Sequence, residues 1–399
     1  MKILVIITQY FPPEMGAPQS RLLETANGLT SLGWDVKVIT AMPNYPTGKI
    51  FKEYKGKLRS KGQVGNLDVW RYWLYASNSK KSLPRIISML SFSFTVLFSL
   101  FKVRKFKPDY VFTESPPLTL GLSGLMIARW SGAKHIMNVS DLWPLSAYEL
   151  GAISKGFTYK QLEKLERYLY KKSYACTGQS QQIVSQLAAS GSQRTHLYRN
   201  GVDAKRFDNI RQSMQKEQHD KLRIVYAGLL GVAQGILGLC ENIDFALLNA
   251  ELHIYGEGAE KNDIIAYLEK NTGKGIYLHN SVKRDEVPAT IMQYDITLIP
   301  LIKPIFGAVP SKIYESMAAG LPIIFTGGGE GVDIINDNRA GWICDPGNYA
   351  QIKQKIAEVA AMDKPELQQI KNNCIYAAQH IFDRRIQIEQ LDQFLSKKK

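Results

Sequence analysis

The segment Val309-Pro-Ser-Lys312-Ile-Tyr-Glu315-Ser-Met-Ala-Ala-Gly320-Leu-Pro322 carries the most chemistry in the chain. Lys312 and Glu315 are three residues apart, so on a helix they share one face, and Pro310 marks the start of that helix. Both then stand near the positive end of the helix dipole. A lysine there can hold a phosphate, and a glutamate one turn on can accept hydrogen bonds from a ribose diol. Ser311 is the expected cap. An isolated K-x-x-E fits a surface ion pair equally well. Met317-Ala-Ala-Gly320 argues against that reading, because small residues let the helix pack close to the strand that follows.

A second segment, Gly228-Leu-Leu-Gly231-Val-Ala-Gln234-Gly235, follows the apolar run Ile224-Val-Tyr-Ala227 and precedes a helical pattern. Glycines in such a turn let the backbone approach a diphosphate, and the helix start offers free N–H groups. Alone, the same pattern also serves plain tight-turn packing. It is not G-x-G-x-x-G, and the GK[ST] of a P-loop is missing. Hydride transfer on a dinucleotide and NTP hydrolysis are therefore disfavoured.

The elements that must position these segments alternate throughout the chain. Strands are expected at Ile3–Thr8, Val36–Thr40, Val69–Tyr72, Tyr110–Thr113, His135–Val139 and Ala175–Thr177, with helices such as Gln19–Leu32, Leu118–Trp130 and Tyr159–Lys172 between them. The pattern then restarts with strands at Arg223–Ala227, Glu251–Tyr255, Ile276–Leu278, Ile296–Pro300, Pro322–Phe325 and Trp342–Cys344, and helices at 259–270, 310–319 and 349–361. Runs apolar on both faces with helices between them indicate parallel sheets covered on both sides. The fold class is thus α/β, with two doubly wound, Rossmann-like domains. The polar stretch Ala204–Lys221 reads as the linker. Expected domains are 1–200, 201–375, and a terminal helix within 376–399 that crosses back to the first domain. Ligands in such sheets bind beyond the carboxyl ends of the strands, where Gln9–Arg21, Ser140–Ala147, Gly228–Gly235, Val309–Glu315 and Thr326–Gly331 all fall.

The 399 residues carry a net charge of +14, unevenly spread: residues 1–199 hold 27 Lys+Arg against 11 Asp+Glu, and the excess is steepest within 49–107, 14 against 2. Four scattered cysteines suit neither a disulfide framework nor a structural zinc site and fit a reducing compartment. The apolar start is too short for a signal peptide. Ile86–Phe101 is apolar but includes four serines and a threonine, and its sixteen residues give roughly 24 Å of helix, short of a ~30 Å hydrocarbon core. It reads as a helix buried on a sheet, as one dipping into a membrane face, or least well as a span. Lys80, Lys81 and Arg85 before it, and Lys102, Arg104, Lys105 and Lys107 after it, suit anionic lipid. No nucleic-acid module is present, and the basic residues flank apolar helix instead of stacking surfaces.

Together with Ile254-Tyr-Gly-Glu-Gly258, Asp141-Leu-Trp-Pro144, Arg199-Asn-Gly-Val-Asp203 and Ser115-Pro-Pro117, the two segments above resemble the retaining GT-B glycosyltransferases of family 4. The resemblance is to the bacterial branch that builds surface polysaccharides such as O-antigen and capsule, including N-acetyl-fucosamine-type amino-deoxysugar transferases. It implies two domains facing across a cleft and a metal-independent transfer from a nucleotide sugar, UDP being the expected nucleotide, with no further cofactor. The implied acceptor is a lipid-linked saccharide of the undecaprenyl-diphosphate type, met by a cytoplasmic protein on the inner face of the plasma membrane. Gly16, Gly228, Gly231, Gln234, Gly256, Lys312 and Glu315 would hold the diphosphate and ribose, and Ser281-Val282 would read the base. Asp141 or Glu14 would orient the acceptor hydroxyl, Lys312 would meet the charge on the leaving diphosphate, and Asp141 equally suits a helix cap.

Departures are visible. Leu229 and Gln234 stand where many relatives carry Arg and Lys, and the E-x7-E pattern keeps only Glu315, because the earlier position is Gly307. These changes read as a branch that grips the diphosphate through Lys312 and backbone amides, or as altered donor choice or lost activity. The chain has no D-x-D, the usual metal-diphosphate device of the other common transferase fold. A UDP-sugar epimerase or hydrolase of the same two-domain fold is the competing reading. It needs no lipid-linked acceptor and leaves the basic apolar patch at 80–107 unexplained.

Overall fold

The computed structural model describes residues 1–79, 82–149, 151, 153–214, 219–303 and 305–397. Lys80 and Lys81, two of the expected basic flanks, lie outside them, as does the side chain of Arg85. The chain divides into two compact units, Met1–Asn200 with Gln387–Lys399, and Gly201–Ile386.

The first unit is built on β1 (Ile3–Thr8), β2 (Asp35–Ala41), β3 (Arg59–Val64), β4 (Leu67–Tyr72), β5 (Tyr110–Ser115), β6 (Lys134–Val139), β7 (Ala175–Gly178) and β8 (Thr195–Leu197). Their order is β3-β4-β2-β1-β5-β6-β7-β8, parallel except for the antiparallel β3–β4 ribbon. Strand alternation sends Leu4 and Ile6 into one core and Val5 and Ile7 into another on the opposite face. The terminal helix Arg384–Ser396 buries Ile388, Leu391 and Leu395 in the first of these cores. Asp392 accepts a hydrogen bond from Trp34 Nε1 at 2.8 Å, and Tyr110 Oη donates to the Leu395 carbonyl at 2.6 Å.

The second unit holds β9 (Leu222–Ala227), β10 (Ala250–Tyr255), β11 (Ile276–His279), β12 (Ile296–Pro300), β13 (Ile323–Thr326) and β14 (Gly341–Cys344), all parallel, in the order β11-β10-β9-β12-β13-β14. Ile224 and Tyr226 face one core and Val225 the other. Every strand expected from the apolar runs is present. Two were missed: β3, RSKGQV, has no buried residue and no apolar pattern, and β8 is three half-buried residues. Ala204–Lys221 is not wholly linker. Ala204–Ser213 is a helix capped by Asp203, and its Phe207 is buried in the second unit's core.

The apolar stretch after residue 81 forms the helix Ser82–Thr95, a short 3-10 turn Val96–Ser99, and the helix Leu100–Phe106. Within the 21 residues Ile86–Phe106 the most apolar 18-residue window has a mean hydropathy of 1.9, so length and composition alone admit a crossing by a run longer than the sixteen residues considered above. It is not a fully buried helix either, since only 33 % of its most apolar window is buried. Its inward side carries Phe92, Val96 and Val103 and much of its polarity. Ser93 Oγ pairs with Thr119 Oγ1 at 2.8 Å, and Thr95 Oγ1 donates to the Trp73 carbonyl at 2.5 Å. Outward it shows Ile86, Leu90, Phe94, Phe98 and Phe101 to solvent, Phe101 at 71 % exposure.

One buried acid adds a pH dependence. Burial pushes the Glu166 carboxyl up to about 7, against the opposing hydrogen bond from Tyr170 Oη at 2.7 Å. The folded state therefore holds this proton more tightly than the unfolded chain, and stability falls as pH rises from about 4.5 to about 7. Glu166→Gln should leave stability at pH 5 nearly unchanged and raise it by about 1–3 kcal/mol at pH 8, read by urea unfolding.

Candidate functional site

In the second unit a hollow of about 420 Å³ opens at the carboxyl ends of β9 and β10. Gly228, Gly256, Ser281, Val282, Lys312 and Glu315 line it, with Leu229, Tyr255 and Ser311. Six of the sequence-assigned residues thus share one pocket. The loops after β9 and β10 zip together beyond the strands: Gly228 N donates to the Tyr255 carbonyl at 2.8 Å and Leu230 N to the Glu257 carbonyl at 2.9 Å. That approach requires glycine twice. A Cβ on Gly256 would strike the Gly228 carbonyl, and one on Gly258 would strike the Leu230 main chain.

Lys312 lies on the helix Ser311–Ala319, whose cap is Pro310. This corrects the expectation for Ser311: it is the first helical residue, and no side chain caps the helix. The first-turn N–H groups, unblocked by a side-chain cap, add to the dipole's positive end at the pocket. Lys312 Nζ sits 5.2 Å from the Tyr226 ring centroid, and Tyr226 Oη is turned away to donate to the Leu229 carbonyl at 2.5 Å. Burial lowers the Lys312 pKa, with Glu315 opposing. Burial raises the Glu315 carboxyl, against Lys312, Arg284, Arg384 and Arg206. Neither Lys312 nor Glu315 forms an ion pair or hydrogen bond with a described residue. A cation and an acceptor, both half-buried and both uncommitted, suit a ligand that brings an anion and hydroxyls together.

Gly231 and Gln234 are placed differently. They begin and end the short turn Val232–Gln234 beside the pocket and are not among its lining residues, and Gln234 Oε1 is buried without a partner.

The remaining assigned residues belong to the first unit. Gly16 caps the helix Ala17–Ser31 with no side-chain cap, so its surroundings offer main-chain donors, as an anion site needs. Glu14 is a brace. One carboxylate oxygen accepts from Asn44 N at 2.7 Å and Tyr45 N at 2.8 Å, the other from Phe11 N at 3.1 Å, which ties the loop after β1 to the loop after β2. Asp141 follows β6, is half-buried, caps no helix and has no hydrogen-bond partner among the described residues. Burial raises its pKa, with Arg21 opposing and Glu114 adding to the rise. Beside it runs a buried network that was not singled out in the sequence. Arg21 pairs with Glu114 and donates to Ser140 Oγ at 2.6 Å, Gln179 Oε1 at 3.0 Å and Asn200 Oδ1 at 2.5 Å. The available signal was polar residues at the ends of apolar strands, as in Thr113-Glu-Ser115. A smaller hollow of about 150 Å³ lies at the ends of β1, β2 and β4, lined by Gln9, Tyr10, Asn44, Tyr45 and Asn78.

Comparison with known proteins bears on the family and the fold. Residues 16–201 match the family described as "Glycosyl transferase 4-like domain", and residues 207–379 match "Glycosyl transferases group 1". The chain is a glycosyltransferase of GT-B type. It is related to WcaI of Escherichia coli K12, named for colanic acid biosynthesis as a glycosyl transferase, at 25 % identity over 342 residues, 82 % of this chain and 83 % of that one. Among solved structures, the sucrose-phosphate synthase of Thermosynechococcus elongatus superposes with a TM-score of 0.74 at 15 % identity over 98 % of both chains. Anabaena HepE in complex with UDP and glucose does so with a TM-score of 0.69 at 14 % identity over 100 % of both. These two share the fold.

Lys312→Ala should leave the unfolding midpoint nearly unchanged and weaken UDP binding roughly tenfold or more in calorimetry, since a charge-assisted contact is lost. Glu315→Gln should chiefly narrow the preference for UDP over 2′-deoxy-UDP.

Proposed function

We propose that the protein is a retaining transferase that moves a sugar, of the N-acetylated amino-deoxy class, from a UDP-linked donor to a lipid-linked saccharide in surface-polysaccharide synthesis. The observation that carries this reading is the pocket in which Lys312, an uncapped helix start, Gly228 and Glu315 converge with no protein partner for either charge. The diphosphate is assigned to Lys312 and the amides around Gly228, the ribose to Glu315, and the base to Ser281 and Val282. From the first domain, the Gly16 amide is assigned to the diphosphate and Asp141 to the acceptor hydroxyl. Glu14 is assigned a positioning role, because both of its oxygens are already occupied by main-chain amides.

In this mechanism the bond between the anomeric carbon and the diphosphate oxygen breaks first, and charge builds on the departing phosphate. Lys312 and the helix dipole stabilise that charge more in the transition state than in the bound donor. The oxocarbenium-like sugar is attacked by the acceptor hydroxyl from the face the diphosphate leaves. The leaving phosphate oxygen takes the hydroxyl proton, and the configuration is kept. With Lys312 and main-chain donors on the leaving group, the step is proposed to run without a metal ion. The saccharide of the acceptor is assigned to the Tyr10, Asn44, Tyr45 and Asn78 hollow, where ring faces and amides suit sugar hydroxyls and C–H faces. Its lipid is assigned to an anionic membrane surface at the inner face of the plasma membrane, supported by the outward apolar stripe from Ile86 to Phe101.

A thermal-shift panel of UDP, GDP and ADP should show the largest rise with UDP. Lys312→Ala should then lower turnover on a UDP-sugar and lipid-linked acceptor by a factor of at least a hundred. Near-normal transfer by that variant would overturn the site, and conversion of UDP-sugar without acceptor would favour the epimerase or hydrolase reading.

A further inference from the structure

A second large hollow, about 450 Å³, lies at the outer edge of the first unit's sheet, where β3 pairs with β4. Opposed residues of an antiparallel ribbon share a face. Lys61 stands opposite Trp70 and Arg59 opposite Tyr72, so two cations flank an aromatic floor. Ser60 and Arg71, the next opposed pair, also line the hollow, and the Arg71 guanidinium is engaged by the Pro12 carbonyl, to which it donates. Phe98, Phe101, Lys102 and Lys105 close the hollow from the side of the apolar helix. Lys102 Nζ and Lys61 Nζ stand 5.1 Å and 5.5 Å from the Trp70 ring centroid.

Five cationic residues line this hollow, Arg71 with its guanidinium already donating to a carbonyl and Arg59, Lys61, Lys102 and Lys105 besides, and no carboxylate lines it. Arg59, Lys102 and Lys105 form no ion pair with a described residue, and Lys61 has only Asp68, 3.9 Å away at the rim. Cations gathered at this density repel one another unless an anion joins them. The rim decides which anion. Phe98 and Phe101, 63 % and 71 % exposed, belong both to the hollow and to the outward stripe that continues through Phe94, Leu90 and Ile86. A free phosphate would satisfy the cations and leave that stripe in water. A phosphate carrying acyl chains satisfies both.

We propose that this hollow binds the phosphate of an anionic glycerophospholipid head group, with the adjoining stripe entering the acyl region. The site rests on the membrane reading above and gives it a specific contact. It is separate from the pocket assigned to the donor and from the hollow assigned to the acceptor saccharide.

The test is flotation of the full chain with phosphatidylcholine vesicles, with and without phosphatidylglycerol. The wild type should bind the phosphatidylglycerol vesicles at least tenfold more tightly. Arg59→Gln combined with Lys102→Gln should remove roughly twentyfold of that affinity. Lys160→Gln combined with Lys164→Gln, the same charge change on the exposed side of the helix Phe157–Lys172, should retain most of it. Equal losses in the two double variants would show diffuse attraction and overturn the site. Equal flotation of the wild type with both vesicles would also overturn the site, while leaving the membrane reading intact. Flotation with neither would end both. Release of the bound chain by inorganic phosphate equimolar with accessible lipid would overturn the lipid source. The urea unfolding curve of the Arg59/Lys102 variant should match the wild type and shows that both units are folded.

Discussion

A half-buried ammonium with no carboxylate in reach is the constraint on which the donor site depends. Burial disfavours the charged form of Lys312, and Glu315, one helical turn away, only partly opposes this. In a finished hydrophobic core such a group would be paired or replaced. Here the surroundings instead are arranged for an anion that arrives from outside. The helix start has no side-chain cap, Tyr226 offers its ring face to the ammonium, and Gly228 has no side chain to keep a ligand's phosphate away. Under the proposed function, a bound diphosphate would offset the cost of leaving the charge unpaired.

That arrangement is possible because the second unit's sheet is parallel throughout, as is the first unit's apart from the β3–β4 ribbon, and both are covered on both faces. Parallel strands deliver all their carboxyl ends to one edge, so the loops after β9 and β10 meet there and can zip main chain to main chain. The first unit uses the same edge differently. Arg21 ties Glu114, Ser140 and Gln179 at the ends of β5, β6 and β7, and Asp141 is held immediately beyond this knot. Asp141 has no hydrogen-bond partner among the described residues and follows directly on a buried network in which Arg21 Nε is itself left unpaired.

Legibility in the sequence followed burial. The central strands were readable because both faces are buried, so Ile3–Thr8 and Ile296–Pro300 appear as unbroken apolar runs. The donor pocket was readable because its parts are turn glycines and helix-start residues, whose types are dictated by local backbone geometry. What escaped depends on distant contacts. β3 is polar except for Gly62 and its last residue, Val64, and is a strand because β4 lies beside it. Ala204–Ser213 looked like a linker because one aromatic, Phe207, anchors a helix otherwise rich in charge. Gln234 was assigned to the pocket from its place in the glycine turn, yet spacing does not say which way a turn presents its side chains. Glu14 carried a functional expectation for its type alone, and the amides that occupy it come from Phe11, Asn44 and Tyr45.

The distribution of charge and apolarity in the first unit follows from the same logic, inverted. A surface helix of a water-soluble domain normally turns its apolar face inward. Along Ile86–Phe106 several hydroxyls point inward and find partners, Ser93 with Thr119 and Thr95 with the Trp73 carbonyl, while phenylalanines face out. Water alone gives no reason for that pattern, because exposing Phe94, Phe98 and Phe101 forfeits burial that the same residues could have supplied to a core. The membrane surface of the proposed function would give a reason for both halves: the rings would enter it and the lysines and arginine around Trp70 would meet its charge. The excess of basic residues within 49–107 then requires no nucleic acid. Under the proposed function, it marks the side that would face a membrane-bound acceptor.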